Sequence, residues 1–135
     1  MRTPMIAVIN DDRAFLALMT DVFTGEGYAV TTGMLAGDAH ALIVRVHPDV
    51  VMLDVRMDTP DAGLTLLHDL RADAATAAIP VLLCSADARF LRAHEGELCA
   101  LGADTLVKPF DLNDLLVAIA ELLRIRNGNG AHSEH

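Results

Sequence analysis

The sequence predicts an α/β fold: a single doubly wound, five-stranded parallel sheet covered by five helices. Three observations carry that expectation. Short apolar runs alternate five times with longer segments of helical period. The runs are continuous rather than alternating, as strands buried on both faces require. The chain of 135 residues is the size of one domain with a real core, and no repeat or linker divides it.

Each element has its own local signal. "MIAVI" (5–9) reads as a buried strand. Phe15, Leu16, Leu18, Met19, Val22 and Phe23 then recur at helical spacing, with Gly25 as a stop. "YAVTT" (28–32) is a more polar strand, placed nearer an edge, and "DAHALIVRVH" (38–47) is helical up to Pro48. "VVML" (50–53) is the third strand and "GLTLLHDLRAD" (63–73) an amphipathic helix. "IPVLLC" (79–84) is the fourth strand, and 86–102 carries one helix closing at Gly102. "TLV" (105–107) is a short fifth strand, followed by a helix over 111–126 with Asp111 as N-cap. The domain is expected to span 1–126, with 127–135 a disordered tail lacking an apolar anchor.

The net charge of −9 argues against nonspecific binding to nucleic acid or to an anionic membrane. It suits divalent cations and basic patches on partner proteins. The two cysteines, Cys84 and Cys99, form no C-x-x-C and read as buried free thiols of a reducing compartment. No segment approaches the roughly 18 apolar residues of a membrane span, so a soluble cytoplasmic protein is expected. The six histidines (His40, His47, His68, His94, His132, His135) show no paired ligand spacing and read as surface or structural residues.

In doubly wound sheets ligands gather at the carboxyl ends of the strands. The third strand sits in "DVVMLDVRM" (49–57) and ends on an acid, Asp54. The first ends in Asn10-Asp11-Asp12, the fourth in Ser85 and the fifth in Lys108-Pro109. Singly these read as a loop acid, a helix cap, a turn serine and a solvated lysine. Their convergence on one edge suits phosphoryl transfer. Carboxylates bind hard Mg²⁺ or Mn²⁺ and can serve as nucleophiles, while a hydroxyl and an ammonium orient phosphoryl oxygens.

The pieces "AVINDD", "VVMLDVRM", "VLLCSA" and "LVKPF" make residues 4–126 resemble the receiver domain of two-component response regulators, of the stand-alone chemotaxis-regulator type. The resemblance implies a flavodoxin-like sheet of order 2-1-3-4-5. It implies Asp54 as phosphoacceptor, Asp11 as metal-binding acid and Arg56 as donor of a backbone carbonyl to the metal. Ser85 would be the switch hydroxyl, Lys108 the phosphate-binding ammonium, and small Ala86 would leave room for the phosphoryl group. It further implies Mg²⁺ (or Mn²⁺), a sensor histidine kinase or phosphotransfer protein as donor, a downstream effector, and an interface able to form a homodimer. The protein would then be a signalling module that catalyses only its own phosphorylation and dephosphorylation.

The chain departs from the family pattern at three places. Asn10 replaces the first acid after strand one, reaching the metal at most through water, and Asp12 becomes a helix cap. The loop "MDTPDAG" is one residue longer before its glycine. Thr105 stands where an aromatic switch residue usually precedes the lysine. These features leave a degenerate, phosphorylation-independent interaction module as the alternative. A flavin-binding protein would need a Ser/Thr/Gly-rich phosphate loop where "NDDRAF" stands, and an aspartyl phosphatase a D-x-D after strand one.

Overall fold

The computed structural model describes the backbone of residues 3–132 and the side chains of residues 3–126. Strands β1 (Met5–Ile9), β2 (Ala29–Gly33), β3 (Val50–Asp54), β4 (Val81–Ser85) and β5 (Ala103–Val107) pair in parallel in the order β2-β1-β3-β4-β5. The helices are α1 (Arg13–Gly25), α2 (Ala36–Val46), α3 (Ala62–Ala72), α4 (Ala88–Ala93), α5 (Glu95–Ala100) and α6 (Leu112–His132).

The continuous apolar strands divide their side chains between two cores, because successive residues point to opposite faces. Ile6, Val8, Val50, Met52, Leu82 and Cys84 pack with Leu16, Met19 and Phe23 of α1 and Leu115 and Ile119 of α6. Ala7, Ile9, Val51, Leu53, Val81 and Leu83 pack instead with Ile43 of α2, Leu67 and Leu70 of α3, Leu91 of α4 and Leu98 of α5. Both edge strands, β2 and β5, are less buried than the central three, in keeping with their more polar sequences.

Side chains seal the ends of elements where backbone groups lack partners. Asp12 caps α1 by accepting from the Ala14 and Phe15 N–H groups, and Asp87 caps α4 through Arg89 and Phe90. Asp111 accepts the Asn113 N–H at 2.7 Å before α6. The Asp49 carboxylate takes the Met5 N–H at 2.8 Å, fixing the start of β1 beside β3. Arg71 at the end of α3 donates to the carbonyls of Leu101 (2.6 Å) and Ile79 (2.7 Å), tying two loops to the helix. His40 meets Asp73 at 2.8 Å and His68 meets Glu97 at 2.5 Å, structural roles in line with the sequence reading.

The structure corrects the expected helices. There are six among the described residues rather than five, because the predicted 86–102 helix is two short ones. The break falls at His94, whose backbone leaves the helical region (φ −106°, ψ 12°) and whose Nδ1 lies 2.9 Å from the Phe90 carbonyl. Its ring stacks on Phe90 at 4.0 Å between centroids. Helix α6 runs to His132, past the Arg126 end expected from the sequence. The rest of the expected tail, 133–135, lies outside the described residues, as do the side chains of 127–132. Among the described residues no helix is long and apolar enough to cross a membrane.

One of the two thiols also differs from expectation. Cys84 is buried in β4, but Cys99 on α5 is exposed. Burial pushes the Cys84 thiol up to about 12, only partly offset by the Lys108 charge. A disulfide-exchange reagent at neutral pH is therefore expected to titrate one thiol in the native protein and two in denaturant. Rapid native labelling of Cys84 would contradict this packing.

Candidate functional site

Strand register builds the site. Ile9 pairs with Leu53, so the next residue of the first strand's chain, Asn10, arrives beside Asp54. Asp54 pairs with Cys84, and Ser85 follows; Ser85 pairs with Val107, and Lys108 follows. One parallel sheet thus delivers an amide, a carboxyl, a hydroxyl and an ammonium along a single edge. The chain leaving Asp54 is held by Val55, whose N–H donates to the Cys84 carbonyl at 2.9 Å, and Lys108 N–H donates to the Ser85 carbonyl at 2.8 Å.

Two donors meet on one oxygen of Asp54. Lys108 Nζ lies 2.7 Å from Oδ2 and Asn10 Nδ2 lies 3.1 Å from the same atom. Neither donor reaches Oδ1 within hydrogen-bonding distance. The Asp54 side chain is 13% exposed and that of Lys108 25%, so the pair is shielded yet open on one side. Asn10, buried, accepts the Asp12 N–H on Oδ1 at 2.8 Å. That bond fixes the amide's orientation, since a flip would turn its oxygen toward the carboxylate and its NH₂ toward an N–H.

Lys108 is itself positioned. Its Nζ stands 4.7 Å from the centroid of the Phe15 ring, and Phe110 packs edge-on against Phe15 at 6.5 Å. The aromatic face favours an ammonium held toward Asp54. Phe15 was legible only as a core position of α1; an aromatic one turn after the acids was the available signal for this second contact.

Ser85 is buried, and its Oγ accepts the Asp87 N–H at 2.9 Å. The hydroxyl hydrogen remains for a further acceptor. Asp54, Arg56, Ser85, Ala86 and Lys108 all line one groove. Asp11 does not line it: it is exposed in the bend after Asn10. Thr105 is exposed on β5 and brings no ring toward the site.

Sequence reasoning gave no role to Gly63, in the first turn of α3. Its N–H donates to the Val55 carbonyl at 2.8 Å. A Cβ there would stand 2.1 Å from the Asp54 carbonyl oxygen and 2.8 Å from Val55 Cα. The helix therefore packs directly on the backbone that carries Asp54, which only glycine permits.

The oxygen donors at this edge are the Asp54 carboxyl, the Asp11 carboxylate and the carbonyls of the following loop. Among the described residues no group of three or more His, Cys, Asp or Glu side chains is placed to hold a metal. A hard ion such as Mg²⁺ needs only one or two carboxylates, with water completing its octahedron, so the donor set fits that ion and not a soft one.

The sequence profile of the response regulator receiver domain matches residues 6–120. The chain is 36% identical over 122 residues to the DNA-binding dual master transcriptional regulator RpaA of Synechocystis sp., covering 90% of this chain and 49% of that protein. It is likewise 36% identical over 122 residues to the response regulator PleD of Caulobacter vibrioides, covering 26% of that protein. The chain thus spans half or less of these relatives. Among solved structures, the receiver domain of the Francisella response regulator 1452 is similar at TM-score 0.78 and 28% identity, covering 90% of this chain and 98% of that one. A CheY-like receiver domain protein from Methanospirillum hungatei shares the fold at TM-score 0.83 and 23% identity, covering 95% of this chain and 99% of that one.

Proposed function

The chain belongs to the response regulator receiver family, and on that footing we propose that it accepts a phosphoryl group on Asp54 from a histidine kinase or phosphotransfer protein in the cytoplasm and passes the signal to an effector protein. Receiver domains are signalling modules rather than classical enzymes, and the only reaction proposed is the chain's own phosphorylation and dephosphorylation. The observation that carries the reading is the distribution of donors on Asp54. Lys108 and Asn10 both hold Oδ2, which leaves Oδ1 as the nucleophile.

Oδ1 attacks phosphorus, the new O–P bond forms, and the P–N bond to the donor imidazole breaks with its electron pair going to nitrogen. Lys108 then shifts from the carboxylate to a phosphoryl oxygen, keeping a cation opposite the charge that moves. Asp11, Asp54 and the backbone carbonyl of Arg56 are the proposed holders of Mg²⁺ (or Mn²⁺), with Asn10 at most bridged by water. The ion, when bound, neutralises phosphoryl oxygens during transfer.

Ser85 acts after transfer in this scheme. Its free hydroxyl hydrogen bonds a phosphoryl oxygen, which draws the β4–α4 turn toward Asp54. Ser85→Ala is expected to leave the extent of phosphorylation close to wild type and to weaken the amide shifts of β4 and α4 that accompany it. Identical shift patterns in both proteins would remove Ser85 from the switch.

The test of the reading is intact mass. Incubation with a small phosphodonor and Mg²⁺ is expected to add one phosphoryl group that is labile to base and hydroxylamine, and Asp54→Asn is expected to add none. Equal labelling of the variant would defeat the assignment to Asp54, and a wild-type chain that gains no phosphoryl group would favour the phosphorylation-independent module, to which Asn10 and Thr105 lend their weight.

A further inference from the structure

The groove beside Asp54 holds more positive charge than the mechanism uses. Arg56 comes from the β3–α3 loop, and Arg89 and Arg92 come from α4. The two α4 residues are three apart and so share a helix face. With Lys108 they make four of the chain's ten Lys and Arg residues, against three of its nineteen Asp and Glu, in a protein of net charge −9. Each of the three acids there already has a hydrogen-bond partner, and one of them, Asp54, is paired with a cation. Asp54 is bound by Lys108, Asp87 caps α4, and Asp61 accepts the Thr59 hydroxyl at 3.4 Å. Arg56, Arg89 and Arg92 have no carboxylate within ion-pair distance among the described residues, unlike Lys108 and Arg124.

The groove is open to solvent and offers about 1030 Å³. That is far more than one phosphoryl group needs and lies at the upper end of the range for small-molecule sites. Guanidinium groups recognise phosphate and carboxylate through paired N–H donors. We propose that this groove binds a small polyanion, its phosphate or carboxylate groups held by Arg56, Arg89 and Arg92 beside the Asp54 carboxyl. A ligand seated there covers Asp54 and slows phosphoryl acceptance. Binding stands on the arginines alone; only this consequence rests on the function proposed above.

Titration of the full chain with pyrophosphate, and separately with citrate, in metal-free buffer at low salt tests the site by calorimetry and amide shifts. One equivalent is expected to bind, with shifts at Arg56, Arg89 and Arg92. Arg89→Gln/Arg92→Gln, both exposed positions, is expected to melt like wild type and to bind about tenfold more weakly. Preference for pyrophosphate marks a phosphate ligand, and preference for citrate a carboxylate one. Asp54→Asn is expected to keep binding, so failure of phosphorylation and failure of the groove are separately visible. The proposal is overturned if neither anion binds. It is equally overturned if Lys108→Ala abolishes binding while the double arginine variant binds like wild type.

Discussion

Gly63→Ala is expected to destabilise the protein by about 3 kcal/mol or more and to cripple phosphoryl acceptance at the same time. The added methyl would stand 2.1 Å from the Asp54 carbonyl oxygen and 2.8 Å from the carbonyl carbon. These are backbone atoms of a central strand, not the end of a flexible side chain. Either α3 lifts from the sheet, losing contacts made by Leu66, Leu67 and Leu70, or β3 bends and Asp54 leaves its donors. Denaturant unfolding reads the first outcome and phosphodonor labelling the second. Gly37→Ala is the control: it lies in α2 with nothing within 4 Å of the added carbon. There the change is expected to be neutral or to stabilise by up to ~1 kcal/mol, since alanine is the better helix former. A Gly63→Ala protein within about 0.5 kcal/mol of wild type would show that α3 does not press on the Asp54 backbone.

Asn10→Asp is expected to cost about 2 kcal/mol in the absence of metal and to tighten Mg²⁺ binding about fivefold. The amide now donates to Asp54 Oδ2 at 3.1 Å. A carboxylate in its place turns that bond into a contact between like charges. At such a distance the repulsion is of order 4 kcal/mol at an intermediate dielectric, and the Lys108 ammonium on the same oxygen offsets part of it. The sign with pH follows from the same contact. Like charge raises proton affinity, so the penalty is largest where both acids are ionised and shrinks as pH falls and the pair takes up a proton. A divalent ion relieves the repulsion, which is why affinity rises where apo stability falls. Low salt enlarges both effects. Melting curves without metal and calorimetric titration with Mg²⁺ measure the two halves. If the variant melts no lower and binds no tighter, Asn10 is not part of the site.

Much of this site was legible because parallel strands place residues by register. An apolar run that stops at Asp54, another at Ser85 and a third before Lys108 must end along one edge. The helices covering the sheet were legible from the same runs, since each strand needs both faces buried. What escaped the sequence depends on contacts between distant residues. The helical period runs through His94 unchanged, so the break came from a ring that stacks on Phe90 and bonds its carbonyl. Cys99 looks as apolar as Cys84, yet Leu98 takes the buried position on α5 and turns its neighbour outward. Gly63 reads as a poor helix former until the Asp54 backbone is seen against it. Asn10 reads as a missing acid, whereas its amide is a donor to the carboxyl it was expected to accompany.

Asp54, held on one oxygen by Lys108 and Asn10, is proposed as the carboxyl that takes the phosphoryl group. Borohydride reduction of the phosphodonor-treated protein, followed by peptide mass spectrometry, tests it most directly, because an acyl phosphate is reduced to an alcohol while free carboxylates are untouched. Homoserine is expected at position 54, formed only with phosphodonor and Mg²⁺ present. Homoserine at position 11, 12 or 61 with Asp54 intact, or at no position despite a stoichiometric gain in mass, would contradict it.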